Sequence, residues 1–254
     1  MKLISLDSSG LTASVAVTED DNLIAEYNVQ YKKTHSQTLL PMLDELKRMT
    51  ELDLKTVDAV AIAKGPGSFT GLRIGSAAAK GLAQALSVPV IEISTLKGLA
   101  CNLYGTDELI CPLMDARRSE VYTGLFEYAR FEDGYFKLNT IIDDCALGID
   151  ELIEKLDAHM LNEEADKERG IVFLGDGVPV FKDRLNERLR AKHSYAPPHM
   201  NRQRAAAFAY LAMEYYREGR YVSAAEHAPV YLRLSQAERE RNEGIIRKGS
   251  AASV

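Results

Sequence analysis

The chain has 254 residues, 46% of them hydrophobic and 27% charged, with a formal net charge of −6. That size and mixture suit a globular protein of one large domain or two lobes. They argue against a primary nucleic-acid binder, because phosphate neutralisation dominates such affinity and no concentrated basic stripe is present. No apolar run approaches the roughly 18 residues that a bilayer span requires. Lys2 leads directly into Leu3-Ile4-Ser5-Leu6-Asp7 without a secretory leader pattern. The three cysteines, Cys101, Cys111 and Cys145, include no C-x-x-C pair. A cytoplasmic protein with reduced thiols is the expectation.

In chain order, residues 3–7 read as an apolar strand ending in Asp7-Ser8-Ser9-Gly10, and residues 13–17 and 23–29 add two more strands, making two hairpins. Asp7 admits two roles, accepting amides in its own turn or holding a metal-bound water. Residues 36–49 are helical, with Leu39, Leu43 and Leu46 on one side and Leu40 beside them. His35 precedes this helix. The position four further on is Leu39, so no helical histidine pair exists to bind zinc or iron.

Residues 59–63 form a short apolar strand that feeds Lys64-Gly65-Pro66-Gly67-Ser68-Phe69-Thr70-Gly71. The glycines permit close backbone approach, and Ser68 or Thr70 can cap the helix that follows. Neither named nucleotide fingerprint has this spacing, which leaves a phosphate cradle and a tight structural turn both open. The helix runs to Leu86 with Gly71, Gly75, Ala78, Ala79 and Leu82 on one stripe. Glycine inside a helix costs roughly 1 kcal/mol relative to alanine, so the stripe calls for a packing reason. A flat seam admits either a helix of the same chain or a second polypeptide.

A strand over residues 89–93 and a short helix to Leu103, capped by Ser94 or Thr95, complete the first series. The turn cluster Tyr104-Gly105-Thr106-Asp107 marks a lobe boundary, giving an N-terminal lobe at 1–105, a C-terminal lobe at 106–236 and a mobile tail at 237–254. The second series repeats the first. Residues 109–114 are a strand ending at Asp115-Ala116-Arg117-Arg118, and 120–126 return beside it. A helix at 150–162, a strand at 171–174 running into Gly175-Asp176-Gly177, and helices at 180–191 and 202–217 follow. Residues 229–233 read as an edge strand or an extended docking segment. Asp7 and Asp115, each at a strand end, are placed to face one cleft.

Two lobes of this kind fit the actin and hexokinase superfamily, an α/β two-lobed actin-like ATPase (ribonuclease H-like) fold with mixed sheets flanked by helices. More specifically, Leu6-Asp7-Ser8-Ser9, His35-Ser36 with Leu39-Leu40-Pro41, the string from Lys64 to Gly75, Asp115-Ala116-Arg117-Arg118, Gly175-Asp176-Gly177 and Pro229-Val230-Tyr231-Leu232-Arg233 occur in the order of the TsaB family, which the chain resembles as far as about Arg233. The resemblance implies a non-catalytic scaffold and activating partner of TsaD. That subunit, with the ATPase TsaE and the threonylcarbamoyl-adenylate supplied by TsaC, forms the threonylcarbamoyl group on N6 of adenosine 37 in tRNAs reading codons that begin with adenine. It further implies a homodimer when alone, contact with tRNA only through the complex, no membrane, no metal, and no cofactor for the isolated chain beyond ATP or ADP at the complex interface. TsaD-like members carry an H-x-x-x-H metal motif, against His35 and Leu39 here.

Pairing in the family runs through the first two helices, which places the seam at Leu39, Leu43, Leu46, Gly71, Gly75, Ala78, Ala79 and Leu82. On that reading Gly75→Leu abolishes pairing without unfolding the monomer. The alternative is an ATP-binding or ATP-hydrolysing enzyme acting alone. Asp7 and Asp115 would then hold magnesium, the Gly65–Gly67 and Gly175–Gly177 loops would cradle phosphate, and Ser8 would join them in contacting nucleotide. A metallopeptidase needs two clustered ligands and a base, which this sequence does not offer.

Overall fold

The computed structural model describes residues 1–31, 34–132, 134–162 and 169–233; the expected tail beyond Gln236 lies outside them. In the first lobe β1 (Lys2–Asp7), β2 (Ala13–Glu19) and β3 (Asn22–Val29) form an antiparallel meander, and β4 (Ala59–Gly65) and β5 (Val90–Ser94) add on parallel, in the order β3-β2-β1-β4-β5. The second sheet is built from β6 (Leu109–Asp115), β7 (Glu120–Arg130), β8 (Phe136–Gly148), β9 (Ile171–Leu174) and β10 (His193–Tyr195). Read from the other edge it has the same order, β8-β7-β6-β9-β10, with the same parallel and antiparallel pairs. One supersecondary plan is therefore used twice.

Each sheet buries both faces. On the outer face of the first, Leu39, Met42, Leu43 and Leu46 of α1 (His35–Thr50) and Ala79 and Ala83 of α2 (Phe69–Leu86) cover Ile4, Leu6, Val60 and Ile62. The second sheet is covered in the same way by α4 (Ile149–Asn162) and α5 (Val178–Arg188) over Leu109, Cys111 and Phe173. Between the lobes lie α3 (Thr95–Ala100) and α6 (Ala209–Arg217). Leu96 and Leu99 of α3 join Ile110 and Phe126 of the second sheet, while Leu211 and Ala212 of α6 join Leu3, Ala59 and Ile91 of the first. The division at 105 and 106 thus separates the two sheets, but residues 205–217 of the later segment complete the core of the earlier one.

The observed elements depart from the expected ones in several places. The helix expected at 202–217 starts only at Ala209, because residues before it turn their amides toward the first lobe: Ala205 N donates to Ser14 Oγ at 2.7 Å and Ala206 N to Glu26 Oε1 at 3.0 Å. Amides so captured are removed from a helical ladder. The helix expected at 180–191 starts two residues earlier and ends three earlier, over Val178–Arg188, and two strands, the 13-residue β8 and the short β10, lie where none was expected. Residues 229–233 form no strand; Val230 N donates to Lys64 O of β4, and Tyr231 packs on Phe69 at the start of α2.

Candidate functional site

The strand order aims the carboxyl ends of β1, β4, β6 and β9 at the gap between the lobes. A cleft of about 640 Å3 opens there, lined among others by Ser9, His35, Gly67, Asp115, Arg117 and Asp176. Its two sides are built alike. Asp7 Oδ1 accepts from Ser9 N at 2.8 Å and Asp115 Oδ1 from Arg117 N at 2.8 Å, so each strand-end aspartate first closes its own turn. Burial lifts the Asp7 carboxyl to about 6, against the two bonds from Ser9 and with help from the charge of Asp176. Asp176 is also raised, first by burial; the Asp115 amide and Arg202 hold it back, and the Asp115 charge adds to the rise. The charge of Asp176 thus acts on Asp7 across the lobes, while Asp115 and Asp176 line the cleft and Asp7 is buried behind it.

Of the residues expected to hold a nucleotide, Gly67 and Asp115 line the cleft, whereas Asp7, Ser8, Gly65, Gly175 and Gly177 lie beneath its walls. The two glycine loops are backbone-on-backbone joints. At Gly65 (φ 123°) a Cβ would stand 2.3 Å from the Val230 carbonyl oxygen, and at Gly175 (φ 111°) 2.1 Å from that of Leu113. Their amides are engaged as well: Ser68 N donates to Ser9 O, Gly71 N to Ser68 Oγ, Gly175 N to Asn201 Oδ1 and Gly177 N to Leu113 O. A phosphate cradle needs such donors free. Ser68, not Thr70, is the cap of α2.

His35 Nε2 lies 2.8 Å from the Gly10 carbonyl oxygen, which makes that nitrogen the donor and tethers the start of α1 to the β1–β2 turn. Among the described residues, no group of three or more His, Cys, Asp or Glu side chains is arranged to hold a metal ion, and no helix is long and apolar enough to cross a membrane.

The stripe on α2 reads differently in three dimensions. A Cβ on Gly75 would stand 2.3 Å from Ser8 Oγ and 3.1 Å from Ile62 Cδ1, and one on Gly71 would stand 2.1 Å from Ser8 O. The glycines admit this chain's own β1 turn, so Gly75→Leu disrupts the lobe instead of sparing it. Leu39, Leu43, Leu46 and Ala79 are likewise buried in the first lobe's core, and Ala78 and Leu82 are half-buried against it. What α1 and α2 turn outward is a different set: Leu40 (51% exposed), Met49 (62%), Arg73, Ala77 and Gly81. Periodicity had grouped the inward rows; Leu40, the apolar neighbour off that row, was the available signal for the outward one.

A pair of like-ordered mixed sheets meeting at a cleft, with acidic strand ends and filled glycine loops, defines a two-lobed actin-like protein of the ribonuclease H-like class. Residues 23–241 match the family model for TsaD, tRNA N6-adenosine threonylcarbamoyltransferase. The chain belongs to the TsaB family: it is 33% identical to the tRNA threonylcarbamoyladenosine biosynthesis protein TsaB of Bacillus subtilis over 94% of this chain and 96% of that one. It is 30% identical to TsaB of Haemophilus influenzae, over 92% and 94%. A crystal structure from Pseudomonas aeruginosa, described as similar to the peptidase YeaZ, superposes with a TM-score of 0.73 at 28% identity, covering 91% of this chain and 99% of the other.

Proposed function

We propose that the chain is a non-catalytic scaffold that pairs with TsaD and activates it in forming threonylcarbamoyladenosine on tRNA. The observation that carries this reading is the state of the glycine loops, whose open faces meet the chain's own backbone and whose Ser68, Gly71, Gly175 and Gly177 amides donate to Ser9 O, Ser68 Oγ, Asn201 Oδ1 and Leu113 O. A protein that makes or breaks bonds in this cleft would need those donors for its substrate. The surface offered to a partner is the outward side of α1 and α2, through Leu40, Met49, Ala77 and Gly81. Pairing with a second copy uses the same side when TsaD is absent, TsaE joins the larger complex, and tRNA is met through TsaD. The location is the cytoplasm.

The test is co-purification with TsaD combined with threonylcarbamoyl transfer to tRNA. Leu40→Glu and Ala77→Arg, both at exposed positions, are expected to abolish co-purification and stimulation while leaving the melting temperature of the isolated chain unchanged. Full stimulation by both variants rejects the α1–α2 surface. The rival reading, an ATP-dependent enzyme, draws on Asp115 and Asp176 lining one cleft with Asp7 buried behind it. ATP turnover by the isolated chain, lost in Asp115→Asn, would establish it in place of the scaffold.

A further inference from the structure

Residues 221–233 cross from one lobe to the other along a stitched path. Val90 N donates to Val222 O at 2.8 Å and Val222 N to Val90 O at 2.9 Å. His227 Nδ1 lies 2.7 Å from Glu92 Oε1, and Val230 N donates to Lys64 O at 2.7 Å. The Tyr231 ring packs on Phe69 with centroids 4.9 Å apart, and its hydroxyl accepts from Arg73 Nε at 3.3 Å. All of these partners belong to the first sheet or to α2. Arg233 then reaches the second lobe, where its Nη1 donates to the Ala116 carbonyl at 2.6 Å and its guanidinium pairs with Glu120.

Ala116 and Glu120 are the two ends of the turn between β6 and β7, joined by Ala116 N donating to Glu120 O at 3.0 Å. Between them Arg117, Arg118 and Ser119 have φ values of 65°, 57° and 60°. Left-handed backbone is disfavoured at each side-chain-bearing residue, and a run of three persists only where the surroundings over-determine it. Within the turn, Asp115 Oδ1 accepts from Arg117 N at 2.8 Å and Glu120 N donates to Arg117 O at 3.2 Å; from outside it, two further contacts matter. Ile149 N donates to Ser119 O at 3.1 Å, and Arg233 grips both flanks of the turn at once.

We propose that residues 221–233 are an interlobe strap with Arg233 as its clasp. By holding Ala116 and Glu120 together, the clasp keeps the left-handed turn in place and sets the width of the cleft. Tyr231, Leu232 and Arg233 are themselves part of the cleft wall, and so is Arg117 of the turn. Release lets the turn relax toward right-handed backbone while the cores around α3 and α6 keep the lobes joined, which makes the clasped turn a two-state element at the cleft wall. The device is independent of which partner the chain serves.

Hydrogen exchange on the full-length chain tests it. Arg233→Ala is expected to speed exchange at the amides of Ala116 and Glu120 by about tenfold or more, the size of effect that follows losing a charge-assisted bond, with the amides of β1 and β4 still protected. Arg233→Lys, which keeps the charge but not the fork that reaches carbonyl and carboxylate together, should fall between. Ser119→Gly supplies the second arm. Glycine removes one left-handed penalty, so Arg233→Ala in that background should accelerate the turn less than it does in the wild type. Unchanged protection at the turn, equal acceleration in both backgrounds, or general loss of protection across the first sheet would each overturn the clasp.

Discussion

The two lobes share a strand order, a strand-end aspartate that closes its own turn, and a glycine loop after the fourth strand, yet they differ in how deeply that chemistry is sunk. Asp7 is 1% exposed, whereas the Asp115 side chain is 23% exposed. The turn after Asp7 is held from both sides, by His35 on Gly10 and by Gly71 and Gly75 on Ser8. After Asp115 the corresponding turn is left-handed and is held by a residue from the distant end of the described chain. Equal local sequence roles therefore give a rigid knot in one lobe and a clasped turn in the other. Neighbours, more than the turn residues, decide which.

The largest way to break this contrast is at Gly75. Leucine there would drive Cβ into Ser8 Oγ and Ile62, and overpacking against backbone and core should cost more than about 3 kcal/mol, read as loss of the cooperative thermal transition. Gly81→Leu, on the same helix with nothing within 4 Å, should leave that transition in place.

Asp7 comes next. Its folded value of about 6 exceeds the reference 3.8, so the native state binds the proton more tightly. Stability is then full below pH 4 and falls as pH rises toward 6, by a loss on the order of 3 kcal/mol. Asp7→Asn should flatten urea midpoints between pH 4 and 7 and raise the midpoint at pH 7; an unchanged slope removes Asp7 from the account.

A smaller effect is expected at Glu92, drawn down to about 2 chiefly by the bond from His227, against burial, with Lys64 adding. A lowered acid stabilises above its unfolded value of 4.5 and loses that contribution as pH falls toward 2. Glu92→Gln should therefore cost about 1–2 kcal/mol at pH 7, discounted for partial exposure, with the difference closing in acid. Gly81→Ala is the smallest change, a gain of about 0.5–1 kcal/mol in thermal or urea unfolding from helix propensity alone.

Much of this architecture was legible in the residues. Apolar runs bounded by glycine and aspartate located β1 to β7 and β9, and the spacing of Leu39, Leu43 and Leu46 located the inner side of α1. The strand β8 was not legible because its residues alternate weakly and its partner bulges twice, at Thr123/Leu125 and Leu125/Phe126. The late start of α6 was hidden because Ser14 and Glu26, nearly 200 residues earlier, take the amides. At the candidate site, sequence named Asp7, Asp115 and both glycine loops. It did not reveal that carbonyls of Val230 and Leu113 fill those loops, since a glycine needed for close approach looks the same whether a ligand or the chain itself approaches. Asp176, between two quoted glycines, was within reach on its position alone.

The return of residues 205–217 to the first sheet bears on how the protein comes into being. Leu3, Ala59 and Ile91 wait for Phe208, Leu211 and Ala212, so the first lobe emerges from the ribosome with one side of its sheet still bare. It cannot finish until residues 205–217 have been made. A nascent chain arrested at residue 105 is predicted to be sticky and dependent on chaperones, and separate expression of either half should yield aggregates where co-expression of both yields soluble material.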